Sequence, residues 1–489
     1  MARIAVIGAG MGGMAAAARL AVAGHEVVVH ERTDTYGGAL RRFTRDGFSF
    51  DTGPGLLHLP AVQRDLFVKT GRAALEDRVG LVQVPVTARH VFPDGSAVTL
   101  PNAARGKVVD ALDEALGAGA GERWSELLGR AREVWEAVRR PLLEEPLRDE
   151  PGSRGALVRD DALPVRPRRR GLLRLPRSLR PGRAPALAAL ADGELRDPRL
   201  AALLGSCAWA HGLDPATAPA SAIVLPYIED TFGTWYVRGG MRNLAQALYE
   251  RCRERHVEFR FGTRVTEVRE RDGRAAGVGP LADGAGEADA VVVGGVAGAP
   301  GGVAGGELGT ARLTVLLALR GAPDDNTAHR TVVHRDLGGA GRAPVTVLQP
   351  DDPALRPEGD FGTAVLSVPV PVGSLRTQAE AERLADELLA TVDAAGLGLG
   401  PRVLWREVRT PTDTEAETGA PGGRVPPPAL PGAGGAFLHP ANHPAGSAPL
   451  PGLYAAGGWS HPGGGLAAAG MTGAMVAGLV QDPEWRGSR

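Results

Sequence analysis

Short apolar runs separated by glycine open the chain. Residues 3–7 form an apolar, β-branched run, residues 14–22 form a stretch rich in alanine, and residues 25–30 form a second β-branched run. The two runs predict buried strands, and the stretch between them predicts a helix that stops at Gly24. The order strand, turn, helix, strand is typical of a mononucleotide-binding unit.

The turn between the first strand and the helix carries a dinucleotide-binding fingerprint, Gly8-Ala9-Gly10-Met11-Gly12-Gly13. The first glycine permits a tight turn, the second lets the backbone approach a pyrophosphate, and the last lets the helix pack on its strand. Glu31, at the end of the second strand, is placed to accept from a ribose hydroxyl, which favours FAD or NAD over a 2′-phosphorylated cofactor. The cofactor-binding residues predicted here are Gly8, Gly10, Met11, Gly12, Gly13, Glu31 and Arg32.

Periodicity predicts further elements along the chain. The two runs 88–92 and 97–100 flank the turn Pro93-Asp94-Gly95-Ser96 and predict a hairpin. Residues 258–268 and the stretch after Asp272-Gly273 predict a second hairpin. Helical spacing of apolar residues from Trp124 to Val138 predicts a packed helix. Other strands are predicted at 288–293, 313–319, 345–348, 363–368 and 403–408, and other helices at 199–210, 378–394 and 466–480.

Composition sets limits on the protein class. A chain of 489 residues can form two or three domains with buried cores. With 55 basic and 56 acidic residues the net charge is -1, so no overall field attracts nucleic acid. The two cysteines, Cys207 and Cys252, have neither zinc-site nor disulfide-framework spacing, which indicates a reducing compartment. Uninterrupted apolar segments are too short to span a bilayer, so we expect a cytoplasmic protein.

A segment rich in arginine and proline interrupts this pattern at residues 139–185. Eight arginines between Arg166 and Arg183 are interleaved with leucines, and no acidic residue occurs from Ala162 to Ala191. Two interpretations remain open. The segment is either a solvated linker or a basic, leucine-bearing surface that contacts anionic lipid from one side of a membrane.

A second glycine-rich turn lies near the C-terminus, from Gly457 to Gly465, after a short apolar run and before the predicted helix at 466–480. A helix N-terminus of this kind offers N–H groups that stabilise negative charge. A reduced flavin carries such charge at the N1 and O2 edge of its ring, so this turn is a candidate for the ring side of a flavin site.

Taken together, these segments resemble the bacterial phytoene desaturase family of carotenoid dehydrogenases, within the FAD-dependent amine oxidase superfamily. The resemblance rests on Gly37-Gly38, the segment from Asp46 to Pro54, the segment from Pro226 to Met241, and the turn from Gly457 to Gly465. One departure is Ala39, where the family often has a basic residue, so Arg41 or Arg42 is the side chain left to serve the pyrophosphate.

The resemblance implies an α/β fold of p-hydroxybenzoate-hydroxylase or amine-oxidase type. A discontinuous Rossmann-like FAD-binding domain at 1–75, 236–300 and 445–489 is interleaved with an α+β substrate domain, a mixed sheet plus helices, at 76–235 and 301–444. It also implies the rest of the FAD site, with the adenine near Val265. These residues are Gly37, Gly38, Arg41, Arg42, Gly53, Pro54, Gly55, Leu56, Val265, Gly457, Gly458, His461, Pro462, Gly464, Gly465 and Leu466.

The family's chemistry suggests transfer of a hydride from a long apolar isoprenoid, such as a carotenoid precursor, to flavin N5 in a dry channel. Candidate catalytic residues are Glu229, Arg238 and His461, because they lie in the two motifs expected to flank the ring. Neither cysteine lies in a motif for covalent attachment, so we expect non-covalent FAD. A second dinucleotide motif is missing from the later glycine clusters, which favours oxygen or a membrane quinone as electron acceptor.

Three alternatives remain open at this stage. One is a tailoring oxidoreductase, desaturase or cyclase of a polyene or polyketide, which the unusual proline-rich stretch Arg424-Val425-Pro426-Pro427-Pro428 would suit. Another is an escort protein for prenylated GTPases, which has the same architecture without catalysis. An amine oxidase is less favoured, because aromatic residues make up only 4% of the chain and such enzymes surround the flavin with an aromatic cage.

Overall fold

The computed structural model describes residues 1–147, 186–281, 286–295, 309–431 and 450–487. Its strands are β1 Arg3–Ile7, β2 Glu26–His30, β3 Arg42–Arg45, β4 Phe48–Asp51, β5 Leu57–His58, β6 Leu81–Gln83, β7 Val86–Val91, β8 Ala97–Pro101, β9 Thr234–Val237, β10 Glu258–Arg260, β11 Glu267–Arg271, β12 Arg274–Gly279, β13 Ala290–Val293, β14 Ala311–Arg320, β15 Arg330–Val333, β16 Val345–Leu348, β17 Phe361–Val370, β18 Val403–Arg409 and β19 Leu453–Ala455. Its α-helices are α1 Met11–Val22, α2 Pro60–Gly71, α3 Arg105–Leu116, α4 Ala120–Arg139, α5 Leu187–Leu195, α6 Pro198–Ala210, α7 Val224–Phe232, α8 Arg242–Glu254, α9 Gln378–Ala394, α10 Pro411–Thr418 and α11 Leu466–Gln481.

A parallel sheet of five strands, in the order β10-β2-β1-β13-β19, forms the first layer of the molecule. Its members come from distant parts of the chain, because β1 and β2 are N-terminal and β19 lies near the C-terminus. Every residue of β13 is buried, as expected for a strand that is covered on both faces. The predicted strand, helix, strand unit at the N-terminus is confirmed, with the helix beginning at Met11.

The two faces of the parallel sheet have different covers. Ile4 and Val6 belong to the apolar core that contains α1, α8 and α11, whereas Ala5 belongs to a smaller core shared with β11 and β12. Alternate residues of a strand point to opposite faces, so one short run supplies both cores. Helices therefore cover one face and a hairpin covers the other.

The predicted hairpin from 258 to 268 is wrong in its first half. Residues Glu258–Arg260 form β10, which pairs in parallel with β2, and the hairpin consists of β11 and β12 around Asp272. The backbone N–H groups of Gly262 and Thr263 donate to the carbonyls of Thr33 and Glu31, which ties the end of β10 to the first unit. These long-range bonds separate two runs that look continuous in sequence.

A mixed sheet of seven strands, in the order β18-β14-β17-β16-β15-β7-β8, forms the second layer. The predicted hairpin of β7 and β8 is confirmed, as are the strands β14, β16, β17 and β18 and the helices α4, α6, α9 and α11. Helix α9 packs with β14 and β17 in one core. Helices α3 to α7 form another core, which includes side chains of β8.

A small third sheet, in the order β5-β9-β6, joins segments that are distant in the sequence. Sequence periodicity did not predict it. Strand β9 pairs with β5 through Thr234 and His58 and with β6 through Val237 and Leu81, both antiparallel. It thereby brings the N-terminal segment beside the segment that precedes α8. Three strands this short carry little periodic signal, which explains why the pattern was missed.

The proposed linker or lipid-contact segment at 139–185 lies mostly outside the described residues, since 148–185 are not among them. Within the described part of the chain, the helices are all too short or too polar to cross a lipid bilayer.

Candidate functional site

The turn that follows β1 is tight and has a backbone conformation that favours glycine. Gly8 has φ +97°, and its N–H donates to the carbonyl of His30 at 2.8 Å. A Cβ on Gly13 would overlap the carbonyl oxygen of Gly8, so α1 packs on its strand as closely as a glycine allows. Within the described ranges, no side chain caps the N-terminus of α1. The first N–H groups of α1 are thus directed toward a potential anion site.

The glycine pair at residues 37 and 38 lies against the turn that follows β1. Gly37 donates its N–H to the carbonyl of Ala9 at 2.8 Å, and a Cβ on Gly38 would lie 3.0 Å from the Cα of Gly10. A Cβ on Gly53 would in turn overlap the Ala39 carbonyl. The predicted segment Gly53, Pro54, Gly55 and Leu56 links β4 to β5 and so continues from this contact.

The C-terminal glycine turn closes on the same place. A Cβ on Gly12 would lie only 2.5 Å from the Cα of Gly457, and a Cβ on Gly473 would lie 2.7 Å from the backbone of Ala15. The N–H of Gly457 donates to the hydroxyl of Thr472 at 3.0 Å, which fixes the turn on α11. The turns at the two ends of the chain therefore meet backbone to backbone.

Helix α11 begins beside open space. Gly465, its preceding residue, has φ +104°, and an added Cβ there would meet nothing within 4 Å. Among the described residues, no side chain caps this helix start. Leu466 accepts a hydrogen bond from the side chain of Gln63 at 3.0 Å, so the first turn of α11 lies beside the first turn of α2. The geometry supplies a second helix N-terminus that can face a ligand.

Glu31 lies at the carboxyl end of β2 and is 8% exposed. Its Oε2 accepts from the N–H of Ala9 at 2.8 Å and its Oε1 from the N–H of Thr33 at 2.9 Å. These bonds orient the carboxylate at the sheet edge where α1 starts. Val265 is buried on the other side of the sheet, in the core of the β11 and β12 hairpin.

The predicted arginines bind backbone carbonyls around this edge. Arg32 donates to the carbonyl of Ala416 at 2.7 Å, and Arg41 donates to that of Glu417 at 3.1 Å. Both carbonyls belong to the last turn of α10, where cations are favourable. Arg42 donates to the carbonyl of Gly239. The three side chains therefore connect the glycine turns to neighbouring elements of the fold.

Arg242 is a residue of this region that sequence analysis missed. Its guanidinium lies 4.0 Å from the ring centroid of Tyr36 and donates to the carbonyls of Tyr36 and Leu40, at 3.0 Å in the second case. The residue follows directly after the motif that ends at Met241, which was the available signal. Asp51 caps the same helix by accepting from the N–H groups of Met241 and Arg242, and burial raises the pKa of this carboxyl to about 6.

The proline-rich stretch packs on the C-terminal turn. The N–H of Gly464 donates to the Pro427 carbonyl at 2.8 Å, and Pro428 forms a bridge with Gly463. A Cβ on Gly458 would lie 2.7 Å from the ring of Pro426. The N–H of Ala429 donates to the carbonyl of Pro462, and His461 is buried inside this turn.

Of the catalytic candidates, Glu229 lies in a buried polar cluster and Arg238 does not. Glu229 is 6% exposed, and its Oε2 is 2.6 Å from Nη2 of Arg330 while its Oε1 is 3.7 Å from Nε2 of His58. Burial raises the pKa of Glu229, but the positive charge of Arg330 outweighs it and the net pKa is well below the usual range. Arg238 directly follows β9 and is exposed, and the aliphatic part of its side chain packs against Gly80.

A cavity of about 70 Å³ borders the Glu229 and Arg330 pair. Its lining is mixed, with apolar side chains such as Leu100, Val108 and Trp124 on helices α3 and α4 and the adjoining strand β8. The cavity thus lies between the seven-stranded sheet and the helical core. It combines apolar walls with a buried, ionised pair.

The glycine turns, the two helix starts and Glu31 together fit a dinucleotide. At Gly12 and Gly38 the backbones approach so closely that only glycine fits. The start of α1 has N–H groups suited to a pyrophosphate, and the start of α11 has N–H groups suited to the edge of a ring that carries negative charge. The carboxylate of Glu31 lies at the same edge, at the end of β2.

Solved structures share this fold along nearly the whole chain. The protein superposes on an oxidoreductase from Methanosarcina mazei with a TM-score of 0.60 at 17% identity, covering 97% of this chain and 99% of that one. It also matches putrescine oxidase bound to putrescine, with TM-score 0.60, 17% identity and coverage of 98% and 99%, and cyclohexylamine oxidase from Brevibacterium oxydans, with TM-score 0.59, 13% identity and coverage of 99% and 100%. The fold is therefore that of the amine oxidases, as the sequence predicted.

The sequence pattern of the family described as flavin containing amine oxidoreductase matches residues 11–299. The chain belongs to this family, and a flavin is its cofactor.

Curated relatives agree with the predicted resemblance. A 4,4′-diapolycopene oxygenase from Methylomonas is 33% identical over 278 residues, which cover 56% of this chain and 52% of the relative. A hydroxyneurosporene desaturase from Rhodobacter capsulatus is 34% identical over 280 residues, with coverage of 56% and 52%. A zeta-carotene-forming phytoene desaturase from Myxococcus xanthus is 32% identical over 292 residues, with coverage of 59% and 52%. Each match spans about half the length of the relative.

Proposed function

We propose that the protein is an oxidoreductase that holds FAD without a covalent bond and desaturates a long apolar isoprenoid. The observation that carries this proposal is the contact between the two terminal glycine turns, where Gly12 meets Gly457 beside the starts of α1 and α11. The names of the relatives support a carotenoid precursor as the substrate class.

The chain's own residues have separate tasks in this proposal. The first turn of α1 binds the pyrophosphate, Glu31 accepts from the adenosine ribose, and the first turn of α11 faces the pyrimidine edge of the ring. Bound FAD supplies the acceptor for a hydride. The proposed domains are those predicted from the sequence, with FAD on the parallel sheet and substrate between the mixed sheet and helices.

The substrate side must exclude water and hold an apolar chain in one orientation. The helical core around Trp124 and Leu203 supplies apolar walls to the cavity, and Glu229 with Arg330 forms its polar side. A dry site strengthens the interaction of that pair with charge that develops on the substrate. We propose oxygen or a membrane quinone as the final electron acceptor. We also propose that the protein contacts the membrane surface, where a quinone is accessible.

The test begins with the visible spectrum of the purified protein and mass spectrometry of its extracted ligand. The proposal expects a flavin spectrum and free FAD after mild denaturation. Coexpression with a phytoene-producing pathway should then give coloured polyenes.

The alternatives give different results in the same experiments. A colourless protein without FAD uptake would favour an escort role and overturn the proposal. A yellow protein that leaves phytoene and similar hydrocarbons unchanged would favour a tailoring reaction on a polyene or polyketide. Peroxide release from simple amines would indicate an amine oxidase.

A further inference from the structure

We propose that His58 is the proton acceptor of the desaturation, and that Glu229, held by Arg330, is its positioning residue. This inference rests on the proposed function. It assigns the half of the reaction that a flavin does not perform, the removal of a proton from the carbon next to the one that loses a hydride.

The position of His58 in the fold is the first support. The residue ends β5, directly after the predicted ring-side segment from Gly53 to Leu56. Helix α2 starts two residues later, and its Gln63 donates to Leu466 at the first residue of α11. His58 therefore lies on the short stretch between two parts of the candidate ring site, with its side chain 22% exposed.

The partners of His58 are the second support. Its Nε2 is 3.7 Å from Oε1 of Glu229, while the other carboxylate oxygen is 2.6 Å from Nη2 of Arg330. Arg330 also donates its Nε–H to the carbonyl of Thr87 at 2.9 Å, which fixes the guanidinium on β7. One oxygen of the carboxylate is thus committed to an arginine and the other faces the imidazole. This arrangement orients the ring and stabilises the imidazolium that a proton would create.

The chemistry matches a neutral imidazole. In the substrate, one C–H bond breaks and its electron pair leaves as a hydride to oxidised FAD, so a cation forms at that carbon. The neighbouring C–H bond then breaks, its electron pair forms the new double bond, and its proton passes to a ring nitrogen of His58. A C–H bond beside a carbocation is a strong acid, so a weak base is sufficient.

The protonation state of His58 agrees with this role. Burial is the main cause that lowers the pKa of His58, to about 4, with Glu229 acting in the opposite direction. The imidazole is therefore neutral at physiological pH and has a lone pair to offer. A structural role alone, in which His58 only fills space beside an ion pair, makes no use of that lone pair, and this difference can be measured.

Ligand binding separates the two roles without turnover. The probe is a tertiary amine that carries a farnesyl chain, because its ammonium N–H imitates the acidic C–H of the cation. The control ligand is the hydrocarbon of the same shape. Titration calorimetry of the FAD-loaded protein should give a preference for the amine of about tenfold, the worth of one charge-assisted hydrogen bond. His58→Leu should reduce this preference to less than about twofold, whereas His58→Gln, which keeps an acceptor oxygen, should retain part of it.

Single-turnover formation of the new double bond supplies the second measurement, because proton removal is the step that completes it. Both His58→Gln and His58→Leu should slow it by about a hundredfold or more, the usual effect of removing a general base. The matched control is His256→Gln, since His256 is an exposed histidine on the loop before β10. That variant should form the double bond at the wild-type rate. FAD content and melting temperature identify any variant that fails to fold. Two different substitutions at His58 are used so that the test still gives a result if one of them does not fold.

Glu229 is tested through the same ligand preference, which a packing role would leave unchanged. Glu229→Gln should lower the preference for the amine, and Glu229→Asp should restore part of it.

The outcomes have distinct meanings. Wild-type desaturation with unaltered rates in both His58 variants overturns this inference and leaves the proposed function intact. An unchanged amine preference in His58→Leu also overturns it. Failure of the wild-type protein to bind FAD or to desaturate isoprenoids overturns both.

Discussion

The proposed cofactor side and the proposed substrate side of this protein depend on different kinds of contact. On the cofactor side, close contacts are between backbones, such as Gly12 with Gly457, and the polar groups are N–H groups at helix starts. On the substrate side, the contacts are between side chains, with Glu229 and Arg330 forming a buried ion pair beside His58. The proposed cofactor site is shaped by glycines that bring backbones into contact, whereas the proposed substrate site contains a buried cluster of charged and titratable side chains.

This difference determines how each side tolerates change. A backbone cradle loses its fit when a Cβ is added, but it contains few buried charges. A buried ion pair is costly to desolvate, so the loss of one partner leaves an uncompensated charge. We therefore expect single substitutions to cost more on the substrate side, and reciprocal double substitutions to recover stability only there.

The largest effect is expected for Arg330→Met. It leaves the Glu229 carboxylate buried without its partner, and the free energy of unfolding should fall by about 3–5 kcal/mol. Denaturant unfolding followed by circular dichroism measures this loss. The double variant Glu229→Leu with Arg330→Met should recover most of it, because a well-packed apolar pair avoids desolvation. A double variant as unstable as the single one would contradict the comparison.

The second effect concerns pH on the substrate side. His334 stacks on Phe92, its Nε2 is 3.0 Å from Nδ1 of His90, and burial lowers its pKa to about 4. Because its folded-state pKa is below the unfolded value, the unfolded chain binds the proton first as pH falls. Stability should therefore decrease from pH 6.5 toward pH 4, by about 3 kcal/mol from this residue. His334→Gln should make the curve of unfolding free energy against pH less steep, since one of several buried histidines no longer contributes. Parallel curves would refute the assignment.

The third effect concerns the cofactor side. Gly12→Ala places a methyl group 2.5 Å from the Cα of Gly457, which should separate the two turns, cost about 1–3 kcal/mol and greatly reduce FAD content. Melting temperature and the flavin absorbance of the purified protein measure both effects. Gly129→Ala is the matched control, since Gly129 is also helical and an added Cβ meets nothing within 4 Å. It should stabilise the protein by up to about 1 kcal/mol. Equal behaviour of the two variants would be inconsistent with a close backbone contact.

The smallest effect is expected for Glu31→Gln. An amide cannot accept from both Ala9 and Thr33 N–H groups while it also accepts from a ribose, so FAD affinity should fall about tenfold, or about 1.4 kcal/mol. Fluorescence titration of the apoprotein with FAD measures this change. Asp65→Asn, at an exposed position of α2, serves as the control and should bind FAD as the wild type does. Unaltered affinity in Glu31→Gln would place the ribose elsewhere.

Local patterns predicted much of the fold. Helix α9 has the predicted bounds, because the capping box of Thr377 and Glu380 is encoded by neighbouring residues. The glycine fingerprint likewise specifies the turn after β1. The prediction for 258–268 was wrong, because the assignment of β10 to the parallel sheet depends on β2, which lies far away in the sequence. Arg242 was missed because its partners, Tyr36 and Leu40, lie about two hundred residues earlier.

By itself, the sequence determined where the backbone can turn tightly and where helices can start, since glycine, β-branched residues and caps act through their own and adjacent dihedral angles. It thereby determined the parallel-sheet core and both glycine turns. Only the tertiary structure decided which distant residues share a buried site. His58, Glu229 and Arg330 come from β5, α7 and β15, and their mutual electrostatics arise only when folding removes water from between them.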